Sequence, residues 1–469
     1  MTSPSNPEPV RVIVVGAGFA GLTAAIECKR KGCSVLMLES FKELKPLGDV
    51  ISFGGNAGTI FQRWPGVEEQ LDPICHTSDR LAFYDYRGDH IYTQVWADEV
   101  EYGKKFNGHR GEIHEIVYKH ALSVGVEIRL DQRVAEYFET DTEAGVVVNG
   151  ERITADVIFA ADGVRSTARK IVLGHEDKPK SSGYAVYRAW MPSDDLAKNP
   201  LTAHLVNDGD KHVGYLGPDI HFLAASLKNG KDFSWVLTHK DEADVEESWS
   251  APGDVEDAVR VVEGWTPIVH AIIRATPQEK LVDWKLVYRD PLPTWISPKA
   301  RIALVRICKP LRLVAHEQFA PRTSTPPLHL SLPYHPSNTK RQFILNSDQG
   351  GDAAHPFLPT SIQGASQAME DGTTFAVCLQ LAGKAKIPEA VRAYEKIRYD
   401  RVKAAQKTGE TTRDKWHKTD FDRLKANPTS IKLAREKWLL DHDAEAHAYA
   451  AYADTVASLR PNVEPRPSL

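Results

Sequence analysis

The clearest chemistry in this chain lies in three small patches. The first is Gly16-Ala17-Gly18-Phe19-Ala20-Gly21, with Glu39 eighteen residues after its last glycine. In such spacing Gly16 makes a tight turn, Gly18 lets backbone approach a pyrophosphate, and Gly21 lets a helix pack closely on a strand. A carboxylate at Glu39 would accept from the hydroxyls of an adenosine ribose and disfavour a 2′-phosphate there. The second patch is Asp162-Gly163, followed by Arg165 and Arg169. The third is Gly351-Asp352-Ala353-Ala354-His355-Pro356, continuing through Gln363-Gly364 to Glu370-Asp371-Gly372. An Asp leaving a glycine turn suits ribityl hydroxyls, and the helix expected from Ser361 would turn its N–H groups toward an electron-rich ring edge.

Local elements position these patches. Arg11–Val15 reads as a buried parallel strand, Leu22 to Lys31 as a helix and Ser34 to Leu38 as a second strand, so the glycines fall in a strand-turn-helix. The helix N-terminus then offers unpaired amides to phosphates. Alone, this first patch fits FAD and NAD equally. The run Asp156–Ala161 is an apolar strand feeding the Asp162-Gly163 turn. Short strand-like runs follow at 183–190, 212–225 and 233–239, and from about 380 to 456 the chain is Ala-rich, polar and helical in pattern.

Composition narrows the function classes. A length of 469 residues implies two or three domains. With 58 basic against 63 acidic residues the net charge is −5, without the basic excess of a nucleic-acid binder. A composition 42% hydrophobic and 26% charged is that of an ordinary globular protein. The sequence holds no apolar stretch long enough for a membrane span, and its short polar lead, Met1 to Pro9, is not expected to act as a signal peptide. Five cysteines, Cys28, Cys33, Cys75, Cys308 and Cys378, lack metal or disulfide spacing and fit a reducing cytoplasm, with no metal site expected.

Together the three ordered patches resemble the class A FAD-dependent aromatic hydroxylases, the family of salicylate and para-hydroxybenzoate hydroxylases, over roughly residues 10 to 410. His109-Arg110-Gly111-Glu112-Ile113 matches the family's pyrophosphate arginine, at Arg110. The stretch from Gly48 to Trp64 with Asn56, and Tyr394-Glu395-Lys396-Ile397-Arg398, are similar to fungal secondary-metabolism members. The resemblance implies an α/β fold: a Rossmann-type FAD-binding domain (10–75, 105–175 and 295–380), an inserted antiparallel-sheet substrate domain (76–104 and 176–294) and a C-terminal helical region (381–469). Its cofactor-binding set would be Gly16, Gly18, Ala20, Gly21, Glu39, Arg110, Asp162, Gly163, Gly351, Asp352, Ala353 and Gly364.

The resemblance also implies a reaction. NAD(P)H reduces FAD, dioxygen adds to give a flavin hydroperoxide, and its distal oxygen attacks an electron-rich substrate. With one dinucleotide fingerprint, the nicotinamide donor would bind transiently, and NADH and NADPH are not distinguished. The expected substrate is a phenolic or aromatic-acid small molecule, which would be hydroxylated. The alternatives are epoxidation of an alkene or indole in a secondary-metabolite pathway, or a flavoprotein without turnover. Pro356 would lie beside the reacting flavin edge or simply stiffen its loop. Arg188, in a strand expected to line the pocket, would hold a phenolate or carboxylate, or else form a surface salt bridge. His221 and Tyr215 would orient or deprotonate a phenol, against ordinary packing. Trp190, Phe222 and Trp235 suit core packing better than pocket walls.

One stretch departs from the family pattern. Removing residues 305–349 joins Arg301-Ile302-Ala303-Leu304 to Gly350-Gly351-Asp352 and restores the family spacing. The segment holds six prolines of the chain's 29 and shows no sustained periodicity. Val305-Arg306 is encodable as GTACGT, Ser337-Asn338 as TCTAAC and Gln349 as CAG, the marks of a splice donor, branch site and acceptor. The segment therefore reads as a translated, unspliced intron, with a genuine surface insertion as the alternative. Either way it sits against the expected flavin site and would weaken FAD binding.

Overall fold

A computed structural model describes residues 8–43, 49–96, 102–163, 166–176, 180–240, 251–288, 292–305, 363–417, 420–433 and 435–460. The expectations for Gly351, Asp352, Ala353 and Pro356, for Arg165, and for the 305–349 segment beyond Val305 lie outside these residues. A five-stranded sheet forms the first layer, in the order Ile302–Leu304, Val157–Ala160, Arg11–Val15, Ser34–Leu38, Glu127–Arg129. All four of its pairings are parallel. Its strands are apolar runs because helices cover them: Val14, Ile158 and Ile302 are fully or almost fully buried. Phe19–Arg30 and Gly364–Ala382 pack side by side in this layer, where a Cβ at Gly372 would lie 2.7 Å from the Ala24 nitrogen.

An eight-stranded sheet forms the second layer, ordered Ala251–Pro252, Val282–Tyr288, Lys180–Pro192, Asp232–Lys240, Ile220–Leu227, His212–Gly217, Arg80–Asp85, His90–Val95. Its pairings are antiparallel except that His212–Gly217 runs parallel to Arg80–Asp85. The helices Val255–Val261 and Pro267–Arg274 cover one face, where Tyr187, Ala189, Phe222, Trp235, Val269 and Ile272 form a core. The other face turns toward the layer of the five-stranded sheet. Two smaller sheets complete the fold: Val134–Glu139, Ala144–Val148 and Glu151–Ala155 in one, Val50–Phe53 and Phe106–His109 in the other.

The C-terminal helices are built into both cores. Tyr394, Tyr452 and Val456 belong to the core around the five-stranded sheet. Trp416, Leu424, Ile431 and Leu433 pack with Leu81, Phe83 and Leu216 of the eight-stranded sheet. Among the described residues no helix is long and apolar enough to cross a membrane, and no cluster of three or more His, Cys, Asp or Glu could hold a metal ion.

Candidate active site

Two cavities meet at the start of the Phe19–Arg30 helix. The smaller, about 70 Å³, is lined by Gly16, Gly18, Glu39, Arg133, Asp162 and Thr167, among others. Gly16 has φ +95°, and a Cβ there would lie 2.4 Å from the Ala161 oxygen; at Gly21 it would lie 1.9 Å from the Gly16 oxygen. The turn therefore exists only with glycine at these places. Gly18 caps the helix with no side-chain hydrogen bond, so the first helical amides are left to a ligand. Ala20 is buried within that helix. One Glu39 oxygen accepts from Ala17 N (2.7 Å), and the other accepts from Ser40 Oγ and Phe41 N.

Two side chains outside the glycine pattern hold this cavity. His114 Nε2 donates to the Ala17 oxygen (2.6 Å), which fixes the middle of the turn. Tyr137 Oη donates to Asp162 Oδ2 (2.8 Å). Burial pushes the Asp162 carboxyl up, against the hydrogen bonds from Ser166 and Tyr137. Gly163, at φ +81°, takes the turn expected of it. Neither His114 nor Tyr137 carries a sequence signal: each is one polar residue in an amphipathic helix or strand.

The larger cavity, about 280 Å³, lies between the two layers. Phe19, Arg110, Gln363, Gly364 and Ala368 line its floor, and Val186, Arg188, His221, Ser234 and Val236 its sheet wall. The Gly364–Ala382 helix begins here, and its N-cap residue Gln363 makes no side-chain cap bond. Arg110 lines this cavity and not the smaller one. Its backbone N donates to the Asp49 oxygen (2.9 Å), so the Val50–Phe53 and Phe106–His109 pair sets both residues at the rim.

Arg188 lines the cavity as expected, but as half of an ion pair with Asp49. Its guanidinium also sits 5.2 Å from the Trp284 ring centre. His221 lines the cavity with both ring nitrogens engaged, Nδ1 with His417 Nε2 (2.9 Å) and Nε2 with Thr238 Oγ1 (3.3 Å). Burial, with His417 beside it, pushes His221 down to about 3, and burial likewise pushes His212 to about 3. These rings are neutral and weakly basic.

Tyr215 is a correction. Its neighbours His212 and Leu216 and its own position alternate across the strand, and Tyr215 falls on the helix-covered face, stacked on Tyr84 at 5.2 Å. It does not line the cavity. Phe222 and Trp235 stack on one another in the same core at 5.4 Å, and Trp190 meets His109 edge-on at 4.6 Å. The sequence reading missed Asp49, His76, Asn107, His212, Trp416 and Leu433, which also line the cavity. Trp416 and Leu433 come from the C-terminal region, far from any motif.

Behind the floor lies a buried charge network. Arg398 binds Asp371 (Nε–Oδ1 2.6 Å) and Glu370, Arg401 binds Glu370, and Asn56 Nδ2 donates to Glu370 (2.6 Å) and Gln363 (3.1 Å). Arg398 and Arg401 hold the Glu370 carboxyl far below its ordinary range, against a burial effect that acts the other way. The network ties the helix that opens into the cavity to the Gly55–Gln62 helix and to the Ile387–His417 helix.

Two adjoining cavities, each receiving an uncapped helix N-terminus, fit an extended ligand with a pyrophosphate at one end and an electron-rich ring at the other. Comparison with known proteins agrees. Residues 9–218 match the family model described as an FAD binding domain. The chain is 32% identical to the asperlicin C monooxygenase of Petromyces alliaceus over 99% of this chain and 93% of that one. It is similar to the crystal structure of CtdE in complex with FAD and a substrate, with a TM-score of 0.81 and 32% identity over 96% and 99% of the two chains. A salicylate hydroxylase substrate complex shares the fold, with a TM-score of 0.71 at 22% identity over 94% of this chain and 98% of that one. Fold, paired cavities and extended similarity together place this chain in the family of FAD-dependent monooxygenases.

Proposed function

We propose that the chain inserts one oxygen atom of dioxygen into an uncharged, electron-rich aromatic or alkene-bearing small molecule of the secondary-metabolite kind, with NAD(P)H as reductant. The observation that carries this reading is the Arg188–Asp49 pair. A guanidinium already matched by a carboxylate has little net charge to offer a substrate carboxylate. The histidines of the wall add none, since burial keeps them neutral. For the same reason they are poor bases for removing a phenolic proton. The features favour oxygen transfer to a neutral π-system, by epoxidation or hydroxylation, over capture of an aromatic acid.

Bound FAD supplies the activation of dioxygen at the expense of the nicotinamide. The protein's part is position and exclusion of water. Glu39 would hold the adenosine ribose, the amides after Gly18 the pyrophosphate, and the amides from Gly364 onward the ring edge that gains electrons. Arg188 and Asp49 would keep a polar rim at the reacting side, and Trp284, Trp416, Leu223 and Val236 would confine a flat apolar substrate. The test is NAD(P)H oxidation by the FAD-loaded chain against matched probes. Stimulation by neutral fused aromatics, with product one oxygen heavier by mass, supports the reading. Stimulation by aromatic acids alone overturns it.

A further inference from the structure

At the end of the cavity away from Arg188 and Trp284, against the last residues of the His221 strand, lies a histidine with no role so far. His76 sits where the chain passes from the first layer to the second, its backbone N donating to the Asn107 oxygen (2.6 Å). Its Nδ1 lies 2.8 Å from the Ser226 oxygen. A carbonyl only accepts, so Nδ1 carries the proton and, in the neutral ring, Nε2 carries the lone pair. Asp210 Oδ2 stands 3.8 Å from the same Nδ1 and is itself held by Thr77 N (2.9 Å) and Thr77 Oγ1 (3.0 Å). Burial lowers the proton affinity of the ring and outweighs the Ser226 hydrogen bond and the Asp210 charge, which raise it, while nearby Lys105 lowers it further, so it stays neutral. The His212 ring packs edge-on against it at 5.7 Å.

The other nitrogen is the unusual one. The His76 side chain is 2% exposed, yet Nε2 has no hydrogen-bond partner among the described residues. A buried acceptor left in this way costs stability, and native structures rarely leave one without a use. His76 also lines the larger cavity, beside Asn107, His212 and Ala225. Tautomer, burial and place thus describe a fixed acceptor whose partner belongs in the cavity.

We propose that His76 Nε2 accepts a hydrogen bond from a ring N–H or phenolic O–H of the substrate and so sets which edge of the molecule faces the flavin end. The inference rests on the reading of this cavity as a site for neutral aromatics. His76 is then a specificity residue at the end opposite the reacting rim, with Ser226 and Asp210 fixing its tautomer. A site built to satisfy one donor rejects the analogue that lacks it, because the buried acceptor is stranded.

The experiment is calorimetric titration of the FAD-loaded full chain with two matched pairs of probes: 2-phenylindole against 1-methyl-2-phenylindole, and 4-phenylphenol against 4-methoxybiphenyl. Wild type should prefer the donor of at least one pair by about ten-fold, and the pair preferred tells N–H from O–H. His76→Phe should bring both members to the same affinity, whereas His76→Gln, which keeps an acceptor, should retain a preference. If His76→Phe does not fold, His76→Met serves as the apolar replacement. Equal binding of both pairs by wild type, or a preference that survives the apolar variant, overturns the assignment of His76 alone. Failure of wild type to bind any of the four overturns the neutral-aromatic reading and this inference with it.

Discussion

Single residues decide what the two cavities accept. At Gly16, an added methyl must meet the Ala161 oxygen at 2.4 Å while the backbone stays at φ +95°. Gly16→Ala should therefore lower FAD affinity by at least about ten-fold, read by flavin absorbance retained after desalting, through strain of about 1–3 kcal/mol. At the rim, Asp49 holds Arg188. Asp49→Ala should release that charge and improve binding of benzoate-type acids by about ten-fold, measured by titration calorimetry. An unchanged preference would mean that Arg188 is matched from elsewhere. The buried histidines act on stability. His212 and His221 stay neutral in the fold down to about pH 3, while in the unfolded chain they charge near pH 6.5. The unfolded state thus binds more protons between these values, and stability should fall as pH drops from about 6.5 toward 3. Thermal melts of wild type and His212→Phe across that range should diverge, with the variant less acid-sensitive.

Elements explain what the sequence could and could not reveal. The glycine turn, its two strands and the Asp162-Gly163 turn were legible because each is local: strand, turn and helix follow within thirty residues. The face of a strand was not. In His212–Gly217 every residue after the first is buried, so no alternation marks which side chains see the cavity, and an odd offset of three positions puts His212 and Tyr215 on opposite faces. Asp49 and His76 were invisible for another reason, since their partners Arg188 and Ser226 lie 139 and 150 residues away. The network behind the floor was legible only as motif fragments, Glu370-Asp371 and Arg398, and not as contacts. It joins helices whose mutual placement sets where Gly364 opens into the cavity. Arg398→Met leaves two buried carboxylates short of a partner and should cost about 3–5 kcal/mol, read from urea unfolding.

At the scale of the whole molecule, two layers enclose the cavity, and both chain halves contribute to each. Residues 305–349 interrupt the passage from the last strand of the five-stranded sheet, Ile302–Leu304, to the helix at Gly364. Deleting them should raise FAD occupancy and the melting temperature if the segment is an unspliced intron, and genomic and transcript sequences should then differ by that stretch. A mature transcript that retains it in active enzyme would refute the intron reading. The far wall has a different consequence. Trp416 and Leu433 line the same cavity as Phe19, so its lining residues lie about four hundred residues apart in the chain. During synthesis the dinucleotide turn is complete long before that wall emerges from the ribosome. Until then the inner face of the eight-stranded sheet stands open to water. The C-terminal stretch is thus part of the vessel and not an appendage: Trp416 and Leu433 wall the cavity, Tyr452 and Val456 complete the core under the five-stranded sheet, and a prematurely terminated chain would lack both.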